Sequence, residues 1–285
     1  MKDLLRLLKL FRPYIGWMLL GILASLLTLL ANVGLMAMSG WFISAMAAAG
    51  VAGVTMNYFT PAAIIRACAI VRTTGRYGER LLTHEATFRL LAHLRSWFYA
   101  HLEPLAPARL QHYHSGDLLS RIRADIDTLD NLYLRILAPV SVAIPAAVIF
   151  VLFLYLHHPL LALIELTFFL LAGFLVPWLV MHAGKQPGQR SVELTAEMRA
   201  SAVDTAQGLG ELLVYGAAAR QAAHINQLSR ELVVSQQRLS HLTGLSQGAV
   251  SFCANVAMWL MVLTLIPKVA AGTTPPADLA MLALF

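Results

Sequence analysis

The sequence predicts an all-α membrane protein, because it is strongly apolar and its charges fall into separate blocks. Apolar residues (A, V, I, L, M, F, W, Y and C) make up 58% of the 285 positions, and charged residues only 13%. Soluble domains are typically about 45–50% apolar and about 25% charged. A soluble fold of this size could not bury so much apolar surface, since burial is limited by the ratio of surface to volume.

Four stretches without Asp, Glu, Lys or Arg indicate where the chain crosses the bilayer. A helix needs roughly 20 apolar residues to cross the hydrocarbon core. The first stretch, between Arg12 and Arg66, is long enough for two spans, and each of the others is long enough for one. A further apolar segment begins near the last residues. We therefore expect six spans, at about 14–38, 41–80, 137–157, 160–184, 242–267 and, incomplete, 279–285.

The distribution of Lys and Arg predicts the orientation of these spans. Residues 1–12 hold four basic side chains, residues 66–135 hold ten arginines, and residues 185–238 hold six basic side chains, whereas the opposite side is nearly bare. The positive-inside rule therefore places the N-terminus and both long charged segments in the cytoplasm. No nucleic-acid partner is expected, because the basic residues are interleaved with acidic ones and no reading motif accompanies them.

Both charged segments have the pattern of helices that continue out of the membrane. After Gly116-Asp117, apolar residues recur at steps of three and four up to Ile136. The second segment predicts a helix over 191–206, a break at Gly208 and Gly210, a short unit at 211–216 and a resumed helix. Extensions of about 20 residues would project roughly 30 Å beyond the lipid. Such stalks suit a membrane protein on which a soluble domain pushes; passive oligomerisation is the alternative.

Several stretches resemble a known transporter family. Gly116-Asp117-Leu118-Leu119-Ser120-Arg121, followed by Asp125 and Asp127, is similar to the signature that follows the first coupling helix of type I ABC exporters. Six more stretches resemble the CydC family, one half of the heterodimeric bacterial CydDC exporters, and the resemblance extends over essentially the whole chain. They are Ser39–Ala45, Asn57-Tyr58 with Pro61-Ala62-Ala63, Arg72–Arg80, His84–Arg89, Asp127–Arg135 and Glu211–Ala217.

The resemblance implies a type I ABC exporter transmembrane domain over residues 1–285, in the bacterial inner membrane, with a CydD-like second subunit. It implies export of cysteine and glutathione to the periplasm, and links to haem b and to cytochrome bd assembly. A full subunit of that family also carries an ATPase domain after the sixth span. These 285 residues contain no G-x-x-x-x-G-K-[ST] loop. We therefore expect no catalytic site in this chain, a sixth span that is cut short, and ATP use only through a nucleotide-binding domain that is absent from it.

The resemblance also implies two coupling elements at the cytoplasmic tips. The residues expected to form them are Arg109, Gly116, Asp117 and Arg121 in the first segment and Gly208, Glu211, Tyr215 and Gly216 in the second.

A row of arginines on the second span predicts a substrate cavity. On a helical projection, Arg66, Arg72, Arg76 and Arg80 share a sector of roughly 120° with His84. Charged residues inside a membrane usually face a cavity. Such a column of cations would attract an anionic solute, and glutathione carries a net negative charge at neutral pH. The alternative is that these arginines flank the membrane and pair with Glu79, Glu85 or other helices.

His84 is predicted as a haem-binding residue. A neutral imidazole is a natural axial ligand for haem iron, and nearby arginines would hold the propionates. The alternative is that His84 is an ordinary helix residue whose ring forms a hydrogen bond. Two rival functions remain open: a haem-binding redox or sensor protein, and an ABC exporter of lipids or drugs, which predicts an apolar cavity. The candidate second ligands of the iron are Met36, Met38, Met46 and Met56.

Overall fold

The computed structural model describes residues 12–105 and 133–284, and this part of the chain is helical, with no strand. The predicted all-α class is confirmed. Short 3-10 turns at Arg12–Tyr14 and Glu103–Leu105 flank the first two helices. The helices are α1 (Ile15–Ala52), α2 (Phe59–Leu102), α3 (Tyr133–His157), α4 (Pro159–Gln207), α5 (Leu209–Val214), α6 (Ala218–Ala270) and α7 (Pro276–Leu284).

The chain divides into two compact units. The first consists of Met1–Ala162 with Met261–Phe285, and the second of Leu163–Leu260. α1, α2, α3 and α7 belong to the first unit. The second consists of α4 from Leu163 onward, α5, and α6 up to Leu260.

In the first unit, α1 and α2 are antiparallel neighbours that approach closely at small residues. A Cβ atom at Gly75 would lie 2.5 Å from Thr28 Oγ1, and one at Gly21 would lie 3.1 Å from Thr83 Cγ2. Small residues let helix backbones come together in the membrane, where packing replaces the hydrophobic effect between helices. The register that results, with residue 21 beside 83 and residue 28 beside 75, decides which side chains of the two helices share a cavity.

The predicted break between the first two spans is wrong. α1 continues through Ser39-Gly40-Trp41 and ends at Ala52, where Gly53 adopts a left-handed φ of 65°. Gly40 is buried against α7, and a Cβ atom there would lie 2.9 Å from the Ala280 carbonyl oxygen. This glycine therefore permits close helix packing and does not form a turn, a distinction that a charge-free run of sequence does not reveal.

Four of the described helices are long and apolar enough to cross a membrane, namely α1, α3, α4 and α6. The predicted spans 137–157, 160–184 and 242–267 each lie inside one of these helices. α2 is not among the four, because charged residues from Arg66 onward interrupt its apolar stretch. Its crossing of the bilayer, and the six-span count, stay predictions. The last predicted span, 279–285, corresponds to α7, which begins at Pro276.

In the second unit, α4 and α6 form an antiparallel hairpin. Leu194 is fully buried against Leu228 and Leu232. An ion pair joins Arg190 Nη2 to Glu231 Oε2 at 2.8 Å. Closer to the tip, the Gln221 amide donates hydrogen bonds of 3.0 Å to the hydroxyls of Ser201 and Thr205. The second charged segment is thus a packed pair of helices, as its sequence predicts.

Candidate functional site

A cavity of about 650 Å³ with both polar and apolar walls lies in the first unit, between α1, α2 and α3. The wall formed by α1 and α2 is polar, whereas the wall formed by α3 is apolar. α1 contributes Ser25, Thr28 and Asn32 besides Leu29; α2 contributes Arg76, Glu79, Arg80 and Thr83; α3 contributes Leu134, Ala138, Pro139, Val142 and Ala143.

The charged part of the cavity is one face of α2. Arg76, Glu79, Arg80 and Thr83 follow one another at helical steps of three, one and three, so they share a side of the helix. Among the described residues, neither arginine forms an ion pair within 4.0 Å. Two cations at positions i and i+4 repel each other by a few tenths of a kcal/mol on a helix. The presence of two neighbouring cations on the cavity wall is compatible with a negatively charged ligand.

Only two of the four arginines in the predicted row line the cavity in the structure. Arg76 and Arg80 line the cavity. Arg72 is half-buried one turn away, with its Nη1 atom 3.5 Å from Asn32 Oδ1. Arg66 is exposed and is not part of the lining. The close approach of Gly75 to Thr28 explains this division, because it brings the polar stripe of α1 opposite the Arg76 turn.

His84 is exposed and stacks on Phe88, with ring centroids 5.9 Å apart. It lies next to Thr83 in sequence but is not part of the cavity lining. Arg80 stands one helical turn away, so the pair offers one imidazole and one cation, as a haem iron and one propionate would need. His84 and Arg80 are therefore compatible with one axial ligand of a haem iron and one partner of a propionate.

The methionines predicted as second haem ligands do not fit. The antiparallel register of α1 and α2 sets His84 opposite residues 20–21 of α1. Met36 lies about 15 residues farther along α1, which is about 23 Å at the helical rise. Met38, Met46 and Met56 are farther still. An iron atom bound to His84 in this chain cannot reach them, and the prediction is wrong because α1 and α2 run in opposite directions.

The second predicted coupling element is an exposed turn of helix at the tip of the α4–α6 hairpin. α4 ends at Gln207 and is capped by Gly208, whose N–H donates to the Asp204 carbonyl at 2.8 Å. The six residues of α5 follow, and Gly216 closes the turn with a left-handed φ of 63°, which favours glycine. The predicted break at Gly208 is correct, whereas Gly210 lies inside α5.

The surface of this tip is apolar and exposed. Val214 and Tyr215 are each 82% exposed, and Glu211 beside them is exposed as well. Exposed apolar patches of this kind mark surfaces where another protein docks. The residues predicted for the first coupling element, Arg109, Gly116, Asp117 and Arg121, lie outside the described residues.

Comparison with known proteins identifies the family. A family model described as the ABC transporter transmembrane region matches residues 15–285. The chain belongs to this ABC transporter family. It is 41% identical, over 99% of its length, to the Escherichia coli glutathione/L-cysteine transport system ATP-binding/permease protein CydC, of which it covers 49%. It is 35% identical, over 88% of its length, to the Haemophilus influenzae protein of the same name, of which it covers 44%. The chain thus spans about half the length of these curated relatives.

This ABC transmembrane domain also contains a polar cluster that the sequence analysis missed, in the turn between α3 and α4. His158 Nδ1 lies 2.9 Å from Lys268 Nζ, and its Nε2 lies 3.0 Å from Thr274 Oγ1. Since an ammonium group can only donate, Nδ1 accepts and the Nε2–H group donates to Thr274. Burial, followed by the charges of Lys268 and His157, lowers the pKa of His158. The cluster therefore depends on a neutral imidazole.

The polar stripe of α1 in this ABC domain was missed as well. Ser25, Thr28 and Asn32 recur at steps of three and four within an otherwise apolar span. That spacing puts the three side chains on one face, which is a signal available from the sequence. Glu79 was weighed only as a partner for arginines, although it lines the cavity in its own right.

Proposed function

We propose that this chain is the transmembrane part of an ATP-driven exporter of low-molecular-weight thiols, glutathione and cysteine, to the periplasm. Such export would support the periplasmic redox balance and the assembly of cytochrome bd. Arg76 and Arg80 on the cavity wall carry this proposal, because they bring positive charge without an ion-pair partner among the described residues to a compartment of suitable size. The names of the two relatives, which refer to glutathione and L-cysteine transport, support it.

The chemistry of the cavity suits an anionic peptide. Pockets for small molecules have volumes of about 300–1,000 Å³ and are mostly apolar with a few polar groups that fix the orientation. In this cavity, α3 provides the apolar wall and α2 the charges. Arginine is well suited to carboxylates, because its planar guanidinium donates two parallel hydrogen bonds. Glutathione has two carboxylates and cysteine has one.

Transport would be driven through the cytoplasmic tips. In the proposed assembly, nucleotide-binding domains close on ATP and push on α5, at Gly208, Glu211, Tyr215 and Gly216, and on the first coupling element, at Arg109, Gly116, Asp117 and Arg121. The α4–α6 hairpin would transmit this motion as a rigid lever, since Leu194 is fully buried within it. Binding of the solute must differ between the inward-facing and outward-facing states for the cycle to be productive.

The proposed setting is a heterodimer with a CydD-like subunit in the bacterial inner membrane, with the N-terminus in the cytoplasm. The basic residues of the cytoplasmic segments support this orientation. One further relative, the Bacillus subtilis glutathione/L-cysteine transport system protein CydD, is 29% identical over half of this chain. The chain is thus similar to proteins named CydC and to one named CydD, which is compatible with a partner subunit of the same fold.

Haem binding is a second candidate function, favoured by the exposed imidazole of His84 beside Arg80. His84 would provide an axial ligand and Arg80 would hold a propionate of haem b, and the bound group would supply redox chemistry or a sensing state. A Soret band in the purified heterodimer that His84→Ala abolishes would support this. The matched control is His101→Ala, since His101 is exposed on the same helix and its ring contacts Trp97. A band unaffected by His84→Ala refutes it.

Export of lipids or drugs is the remaining alternative. An apolar solute could contact the apolar wall of α3, but it would leave the charges of Arg76, Glu79 and Arg80 without polar partners in the ligand, which would weaken its binding. The charged face of α2 therefore argues against it.

Uptake into sealed vesicles tests the proposed export. The full-length heterodimer, including its nucleotide-binding domains, is reconstituted with those domains facing outward, and ATP-dependent uptake of labelled glutathione and cysteine is measured. The control is a heterodimer whose ATP-binding lysines are replaced. Uptake that requires ATP and saturates with thiol supports the proposal, whereas ATP hydrolysis without uptake of either thiol refutes it.

A further inference from the structure

The charged face of the cavity contains an anion between its two cations. Glu79 lies between Arg76 and Arg80 on the wall of α2, and its side chain is half-buried. An anionic solute alone would be repelled by this carboxylate. The three charges together are the complement of a solute that carries both signs.

Glu79 has no protein partner for its carboxylate among the described residues. Arg76 lies at i−3 on the same helix, a spacing at which ion pairs form readily. No ion pair within 4.0 Å joins them, however. The Thr83 hydroxyl donates to the Glu79 backbone carbonyl at 2.7 Å and not to its side chain. By contrast, Glu85 on the same helix pairs with Arg89 at 2.6 Å.

A half-buried carboxylate that has no partner among the described residues is unfavourable. Burial removes water from the charge, and the loss is compensated only when an opposite charge or hydrogen-bond donors replace that water. If both arginines bind carboxylates of a ligand, a cationic group on the same ligand would supply the opposite charge that Glu79 lacks among the described residues.

We propose that Glu79 binds the free α-ammonium group of the transported thiol, while Arg76 and Arg80 bind its carboxylate groups. This assignment rests on the proposed thiol export. Cysteine and glutathione both carry an α-ammonium group next to a carboxylate, so one constellation serves both. The substrate class is therefore thiols with an unmodified amino-acid head group, and thiols acylated on nitrogen are excluded.

Transport of glutathione and of N-acetylglutathione by the full-length heterodimer in proteoliposomes tests this assignment. The two compounds share the thiol and both carboxylates and differ at the ammonium group. A hydrogen bond between charged groups changes binding by about ten- to a hundredfold. We expect the wild-type protein to prefer glutathione by that factor in kcat/KM, and Glu79→Gln to lose the preference by transporting glutathione less well. Glu85→Gln, outside the cavity lining, is the matched control and should keep the preference.

A second variant separates recognition of the ammonium group from folding. Arg76→Gln should weaken transport of both compounds while leaving the preference for glutathione intact. A Glu79→Gln protein that keeps the wild-type preference for glutathione overturns the assignment. Equal loss of transport of glutathione and N-acetylglutathione in this variant also overturns it. In both cases the proposed thiol export stands. If the wild-type protein transports neither compound, the proposed function fails, and the assignment fails with it.

Discussion

The contact between Gly75 and Thr28 leads to a quantitative prediction about the packing that forms the cavity. A Cβ atom at residue 75 would lie 2.5 Å from Thr28 Oγ1, but 3.6 Å from Thr28 Cβ and 3.8 Å from its Cα. The clash therefore involves a single oxygen atom. Gly78, one turn farther along α2, has no atom within 4 Å of the corresponding position. Gly75→Ala and Gly78→Ala thus add the same methyl group to one helix, with and without a clash.

The magnitude follows from what Thr28 can do. Its hydroxyl donates to the Ala24 carbonyl at 2.7 Å. If Thr28 rotates away, that hydrogen bond is lost, at a cost of about 0.5–1.5 kcal/mol. If the helices separate instead, overpacking costs about 1–3 kcal/mol. Replacing a helical glycine by alanine contributes about 0.5–1 kcal/mol of stability in either variant. Because the protein takes the cheaper of the two routes, we expect Gly75→Ala to be less stable than Gly78→Ala by about 0.5–1.5 kcal/mol.

A double-mutant cycle measures this difference. Unfolding of the purified protein in mixed detergent micelles is titrated with a denaturing detergent for wild type, Gly75→Ala, Thr28→Ala and the double variant. Because Thr28→Ala removes the clashing oxygen, the penalty of Gly75→Ala should fall by about 1 kcal/mol in that background. Additive effects, or a Gly75→Ala protein as stable as Gly78→Ala, would refute the close approach of α1 and α2.

Three further predictions concern the stalk, the α3–α4 turn and the cytoplasmic tip. Leu194→Ala should destabilise the α4–α6 hairpin by about 2–5 kcal/mol, because the side chain is fully buried, whereas Glu231→Gln should change stability far less, since its ion pair is exposed; limited proteolysis compares the two variants. The lowered pKa of His158 means that the unfolded state binds a proton first as the pH falls. The stability contributed by the neutral imidazole is therefore fully present above roughly pH 6.5 and is lost as the pH falls from there towards the lower pKa of the folded state. The melting temperature should therefore drop between pH 7 and 5 in wild type and less steeply in His158→Gln, and equal slopes would contradict the contact with Lys268. Tyr215→Ala in the full-length heterodimer should lower thiol-stimulated ATP hydrolysis more than basal hydrolysis, because it removes an exposed apolar contact from the tip; equal lowering of both rates would argue against coupling through α5.

The fold class and the stalks could be predicted from the sequence, because they depend on periodicity and on where charges are absent. The end of α1 could not be predicted, because a glycine such as Gly40 is equally compatible with a turn and with close packing against a neighbouring helix. The cavity shows a similar division. Two residues of the predicted arginine row, Arg76 and Arg80, line the cavity, but only the tertiary contacts at Gly21 and Gly75 determine that they face the polar stripe of α1. The same register excludes Met36 as a partner of His84, which no single-helix pattern reveals.

Binding of the transported thiol at the charged face of α2 is what we propose. It is tested most directly by the concentration dependence of ATP-driven glutathione uptake in proteoliposomes that contain the full-length heterodimer with Arg76→Gln and Arg80→Gln combined. The matched control is Arg95→Gln, an exposed arginine of the same helix outside the cavity lining. We predict that the KM for glutathione rises at least about tenfold in the double variant, since each charged hydrogen bond contributes about 1.5–3 kcal/mol, while basal ATP hydrolysis and the control are unchanged. An unchanged KM in the double variant would contradict the claim.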